Sequence, residues 1–191
     1  EATRIFRDCA FEDIYYEHCS YFTASSLATL METVGWHVMR TAVTYGEQYL
    51  TVEARYGGGE GTLSRDSGAE TAEWREAVVS FPKRVAAKIA AWRHEIERRV
   101  CDGQRVAIWG SGSKGVSFLS TLGVNDLVSH AVDINPHRQG YFMPGGGQRI
   151  VSPDELAALG IDYVVVMNGV YLPEVQAMLQ EMGLAPELAA L

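Results

Sequence analysis

Apolar residues recur at steps of three and four through two stretches of this chain. In the first they fall at Leu27, Leu30, Met31 and Val34, the spacing that lines one face of an α-helix. Thr23 or Ser25 can cap its start, and Gly35 stops it. In the second, from about Gly68 to Val100, the stripe is Trp74, Val78, Phe81, Val85, Ile89, Trp92 and Ile96 on a charged, alanine-rich background. That stripe predicts a long helix, kinked or divided at Pro82, whose tryptophans pack rather than bind. Between the two, Trp36–Tyr45 and Tyr49–Tyr56 are β-rich runs separated by Gly46, Glu47 and Gln48, which predicts an antiparallel hairpin.

Beyond Gln104 the pattern changes to short apolar runs alternating with helical stretches. Arg105–Trp109 reads as a buried strand, followed by a glycine loop and a helix to about Leu122. Val128–Val132 and Asp162–Met167 are further strands, the last apolar on both faces as central parallel strands are. Ser152-Pro-Asp-Glu155 carries a capping serine, a proline in the first turn and a glutamate to close a capping box. Tyr171–Met182 is the next helix. This alternation predicts an α/β fold, a Rossmann-like parallel sheet with helices on its faces. Three regions follow: residues 1–57, a helical connector over 58–103 opened by the break Gly57–Gly61, and the Rossmann-like domain 104–191. A helix and a hairpin are not a domain by themselves. Residues 1–57 are therefore expected to be the end of a domain whose sheet lies upstream of Glu1.

Charge and cysteine content narrow the classes. Twenty-four acids against 16 bases give a net charge of −8, which argues against a nucleic-acid surface, since that needs a basic face. An anionic ligand would have to be held by backbone amides and a few placed cations. Cys9, Cys19 and Cys101 are odd in number and lack CxxC spacing. They form neither a disulfide framework nor a zinc site and read as small buried residues in a reducing cytoplasm. No apolar run approaches the ~20 residues of a membrane span, and no secretory leader is visible. Cytoplasmic location, no membrane partner and no metal are the expectations; oligomeric state is left open.

The chemistry concentrates in two places. Gly110-Ser111-Gly112-Ser113-Lys114-Gly115 follows a predicted strand and opens a predicted helix. In such a loop the first glycine allows the tight turn, the second close approach of a pyrophosphate, and the third helix-on-strand packing. The helix N-terminus then presents free N–H groups to an anion. Lys114 is the only lysine after residue 88, which suits a phosphate contact or a solvated surface position. Asp133, at the end of the next strand, stands where this fold places a ribose-binding carboxylate, or it caps the loop that continues through Asn135. Asn168 closes the third strand at the same carboxyl edge. These residues point to a nucleotide without saying which. An NAD(P)-dependent oxidoreductase domain and a non-catalytic packing module remain alternatives.

The second place is Ile14-Tyr15-Tyr16-Glu17-His18-Cys19-Ser20-Tyr21-Phe22, where an acid, an imidazole and phenols crowd just before a helix. Histidine is the natural base near neutral pH, and a nearby carboxylate raises its basicity. The run Tyr16-Glu-His-x-Ser-Tyr-Phe22, followed by a helix, Gly35 and a hairpin, resembles the end of the methyltransferase domain of the sugar C-methyltransferases. Trp109-Gly-Ser-Gly-Ser-Lys-Gly115, Val132-Asp-Ile-Asn-Pro136, Gly140-Tyr-Phe-Met-Pro-Gly145 and Val151-Ser-Pro153 resemble that family's C-terminal domain, in the family's order. The resemblance implies an S-adenosylmethionine-dependent C-methyltransferase acting on a nucleotide-linked ketosugar or related small molecule, whose last domain holds the nucleotide. It places Tyr15, Glu17 and His18 on the active-site segment, with His18 as general base and Tyr15 stabilising an enolate. It also implies a zinc-binding domain and an S-adenosylmethionine loop before Glu1, so this chain alone is expected to be inactive. Val166-Met-Asn168 departs from the tryptophan-containing sequence of the better understood sugar enzymes.

Overall fold

The computed structural model describes residues 1–57 and 68–191; the expected glycine break lies, past Gly57, outside the described residues. The chain divides into two compact units, Glu1–Ala10 with Tyr16–Val85, and Phe11–Tyr15 with Ala86–Leu191.

In the first unit, helix α1 (Ala2–Asp8) is capped by the Glu1 carboxylate, which accepts from the amides of Thr3 and Arg4 at 3.0 and 2.8 Å. Helix α2 (Ala24–Thr33) begins at Thr23, whose hydroxyl accepts from the Ser26 amide while the Ser26 hydroxyl accepts from the Thr23 amide. Strands β1 (Trp36–Thr44) and β2 (Tyr49–Tyr56) pair antiparallel, with a bulge at Met39. Neither α2 nor either strand contains a fully buried residue. Met39, Val43, Leu30 and Tyr49 are all exposed.

Helix α3 (Gly68–Cys101) is continuous, so Pro82 does not divide it. Pro82 is exposed, and the carbonyl four residues back, which loses its intrahelical donor, can bond to water instead. The part of α3 up to Val85 belongs to the first unit, where Phe81 and Trp74 pack edge-on against Phe6 at 4.8 and 5.5 Å between ring centroids.

The rest of α3 belongs to the second unit. Its other elements are β3 (Val106–Trp109), α4 (Ser113–Leu122), β4 (Val128–Val132), β5 (Arg149–Val151), α5 (Leu156–Leu159), β6 (Tyr163–Val166), α6 (Leu172–Glu181) and β7 (Glu187–Ala190). The five strands form one parallel sheet in the order β5-β4-β3-β6-β7. This is the expected Rossmann-like α/β arrangement. The chain moves outward from β3 through β4 to β5, then returns to the other side of β3 for β6 and β7. The connection reverses between β3 and β6, and ligands of open α/β sheets bind at the carboxyl ends flanking such a point. Every residue of β3 and β6 is buried. Phe118, Leu119 and Leu122 of α4 and Ile96 of α3 fill the core with them, each at most 2% exposed. Trp92 meets Phe118 edge-on at 5.8 Å, and Arg93 Nε donates to the Leu122 carbonyl at 2.7 Å, closing the end of α4. The Ser152–Glu155 capping box is present, although its first turn is 3-10 and the α-helix proper starts at Leu156.

Candidate functional site

The sheet opens into a cavity of about 410 Å³ at the carboxyl ends of β3, β4 and β6, wholly within the second unit. Its floor is built by the sequence that follows β3. Gly110 takes φ +112, a value strained for any side chain, and a Cβ there would lie 3.3 Å from the Met167 Cβ. Gly112 is the N-cap of α4 and offers no side-chain cap, which leaves the first amides of the helix without a capping side chain. A Cβ on Gly115 would sit 2.5 Å from the Gly110 carbonyl oxygen. Only glycine there lets α4 lie this close to the preceding loop.

Of the residues singled out for nucleotide binding, Gly110, Gly112, Ser113, Lys114, Gly115, Asp133 and Asn168 line the cavity. Ser111 does not. It is 8% exposed, and both its amide, at 3.0 Å, and its hydroxyl donate to Asp133 Oδ2. Asn135 is also outside the lining: its Oδ1 accepts from the His137 amide at 3.0 Å, in a turn of its own. Lys114 Nζ lies 3.1 Å from Oδ1 of Asp13, a buried acid on the 3-10 turn Phe11–Asp13. Asn168 Oδ1 accepts from the Val170 amide at 3.3 Å, starting the turn into α6.

Asp133 is the most heavily bonded acid of the site. Its Oδ1 accepts from the Asn135 amide at 2.9 Å; its Oδ2 accepts from Ser111 and from Arg138 Nη1 at 3.2 Å. Burial pushes its carboxyl up, but the Ser111 hydroxyl, the amides of Asn135 and Ser111, and Arg138 together hold it below the ordinary value of 3.8. It is therefore ionised at neutral pH.

The remaining lining was not singled out in advance as ligand-binding. Trp109, Ile134, Val166, Met167, Tyr171, Val175 and Met178 make most of the wall apolar, and Glu174 adds a carboxylate. Trp109, Ile134 and Met167 could have been found as neighbours of the strand ends. Arg138, in the loop after β4, carries no sequence signal beyond its charge.

Tyr15, from the active-site segment, lines this cavity as well. Glu17 and His18 are exposed residues of the first unit, where the His18 ring lies 6.3 Å from that of Tyr21. Among the described residues, no group of three or more His, Cys, Asp or Glu could hold a metal ion, and no helix is long and apolar enough to cross a membrane.

Comparison with known proteins decides the family. The profile of the C-methyltransferase C-terminal domain matches residues 65–185, more than half of the chain. The chain belongs to this C-methyltransferase family. It is similar to the C-methyltransferase NovU of Streptomyces niveus, 29% identical over 177 residues, which cover 86% of this chain and 41% of NovU. The chain thus spans well under half the length of that relative. Within the C-methyltransferase C-terminal domain, the matched residues include the whole glycine loop and every strand of the parallel sheet except the edge strand β7.

Proposed function

We propose that this chain is the C-terminal portion of an S-adenosylmethionine-dependent C-methyltransferase, and that its parallel-sheet unit holds the nucleotide part of a nucleotide-linked ketosugar or related small molecule. The observation that supports it best is the cavity at the β3/β6 reversal. It lies where α/β sheets take ligands, is floored by a glycine loop and an uncapped helix start, and falls within the 300–1,000 Å³ or so usual for small-molecule sites. Its apolar wall suits a nucleobase and its helix start a phosphate.

An adenosyl ribose is held through its hydroxyl pair by a carboxylate at the end of the second strand, and here Asp133 already accepts from Ser111, Asn135 and Arg138. No step on S-adenosylmethionine is assigned to these residues. The same observation weakens the NAD(P) alternative.

For the acceptor, His18 takes the proton from the carbon beside the ketone, with Glu17 beside it on the same segment. The Tyr15 hydroxyl donates to the enolate oxygen as charge develops there. In the full-length enzyme His18→Ala should lower turnover by about 10²–10⁴-fold while leaving donor binding intact; unchanged turnover would remove His18 from this role. Calorimetric titration with nucleoside diphosphates tests the binding assignment. Saturable heat with at least one supports it, and none with any overturns it.

A further inference from the structure

The 3-10 turn Phe11–Asp13 belongs to the parallel-sheet unit although it stands far from it in sequence. Two adjacent acids in a turn ordinarily face water. Here Phe11, Glu12 and Asp13 are 5, 2 and 7% exposed, and a buried carboxylate is tolerated only where a cation or donors meet it. Two lysines do so. Lys114, at the start of α4, places Nζ 3.1 Å from Oδ1 and 3.2 Å from Oδ2 of Asp13. Lys88, on α3, places Nζ 4.0 Å from Oε2 of Glu12 and 5.7 Å from the centre of the Phe11 ring. That ring in turn stacks on Phe118 of α4, with 6.4 Å between centroids and 17° between planes. The Ile14 amide closes the turn on the Phe11 carbonyl at 3.1 Å. The next residue is Tyr15, which lines the cavity.

A lysine solvated at the mouth of a loop adds nothing to the order of its neighbours. One that straddles both oxygens of a buried carboxylate is fixed by it and fixes it in return. Resting on the assignment of Tyr15 to the enolate oxygen, we propose that Lys114 and Asp13 are positioning residues for that tyrosine. The lysine of the glycine loop holds the Phe11–Asp13 turn against α4, and the turn sets the place of Tyr15 in the cavity. Only Ile14 separates the paired acid from the tyrosine, so a turn that shifts carries the phenol with it. The parallel-sheet unit thereby takes part in methyl transfer itself, as the frame of the group that meets the developing charge. A donor aimed beforehand costs no reorganisation when that charge appears. Misplacing a positioned group by about 1 Å can cost about 10²-fold in rate, so the ion pair bears on turnover although neither member is assigned a contact with the reacting atoms.

The test reads the tyrosine directly. Meta-fluorotyrosine is placed at position 15 alone in the full-length enzyme, where its fluorine resonance needs no ligand. Lys114→Met and Asp13→Asn should each move that resonance towards the value of the free amino acid. The double variant should move it no further, since both changes cut one contact. Lys114→Arg, which keeps the charge, should hold it near the wild-type position. In unlabelled enzyme each of the first two variants should lower kcat for a nucleotide-linked ketosugar by about 10- to 100-fold while the KM of the acceptor stays within about twofold, the pattern of an interaction that counts only in the transition state. An effect of Lys114→Met that Asp13→Asn lacks would mean that the lysine acts on something other than the turn, and it overturns the inference; so does a resonance unmoved in both. Should Lys114→Met not fold, the nearly isosteric Asp13→Asn decides by the same two readings. Tyr15→Phe turning over as fast as the wild type would sink the enolate assignment and the inference with it. A slow Tyr15→Phe beside a resonance that stays put sinks the inference alone.

Discussion

Gly115 offers a quantitative test of how α4 is seated. Helix propensity alone makes alanine better than glycine at a helical position by about 1 kcal/mol. Against that gain stands a Cβ at 2.5 Å from the Gly110 carbonyl oxygen, 3.1 Å from Ile108 Cδ1 and 3.4 Å from Met143 Cε. Real Cβ contacts essentially never fall under 3.0 Å, so the first must open by about half an ångström. The obstacle is backbone, and it is fixed: the Gly110 amide donates to the Val132 carbonyl at 2.8 Å. Relief has to come from α4 moving off the sheet, which opens the contacts of Phe118, Leu119 and Leu122. Overpacking a close-fitted core costs typically ~1–3 kcal/mol, and an immovable obstacle puts this case near the top. A cost of about 3 less a gain of about 1 leaves Gly115→Ala destabilised by about 2 kcal/mol. At ~1–3 kcal/mol/M that is a fall of about 1 M in the urea midpoint. Ser120→Ala, on the exposed side of the same helix, gains a few tenths of a kcal/mol by propensity and is the control. A Gly115→Ala protein as stable as the wild type would show that α4 does not depend on this close approach.

Three further outcomes can be checked. Thr23→Ala removes the hydroxyl half of the α2 capping box, the acceptor of the Ser26 amide, and should destabilise that helix by about 1 kcal/mol, read as faster hydrogen exchange of its amides; unchanged exchange would contradict it. Arg99 lies over the Tyr163 ring at 4.1 Å and pairs with Glu187 and Glu95, whereas Arg98 pairs with Glu95 and Asp102 in water. Arg99→Ala should lower the melting temperature more than Arg98→Ala, and equal effects would argue that the edge strand β7 does not need this anchor. Burial and then the nearby Arg149 charge hold His130 below its ordinary 6.5, against the opposing pull of Glu155. The unfolded chain therefore takes up this proton first: the stabilisation is whole above pH 6.5 and drains as pH falls below it. Urea midpoints at pH about 7.5 and about 5.5 should differ less in His130→Gln than in the wild type; an unchanged difference would exclude His130 as a contributor.

Elements were legible where one residue pattern had one physical outlet. The β3 and β6 runs are apolar on both faces and short, and became central parallel strands. Thr23, Gly35 and Ser152–Glu155 mark boundaries through local hydrogen bonds that any neighbourhood permits, and their ends are close to those expected. The elements that went unread are those made by their surroundings. Strand β5 is three residues long and exists because its residues pair with His130, Ala131 and Val132. Strand β7 reads as an alanine-rich helix, Glu187-Leu-Ala-Ala190, yet pairs with β6 because an edge of the sheet is open to it. Helix α1 lacks a long apolar stripe and is held by Glu1 at one end and by packing of Phe6 on Trp74 and Phe81.

The candidate site divides along the same line, between what a motif dictates and what its neighbours decide. Glycines are legible because their requirement is negative: no side chain fits at Gly110 or Gly115, and the sequence has none. Charged groups are not, because a charge takes its meaning from its partner. Lys114 stands in the glycine loop, and the acid it meets, Asp13, lies 101 residues away in sequence. Asp133 stands where a ribose acid belongs, but Ser111 is inside the motif that suggested the ribose, and Arg138 follows five residues later. A glycine loop therefore specifies where an anion can approach. How the acid beside that loop is engaged is set by the donors it meets, Ser111 and Arg138 among them.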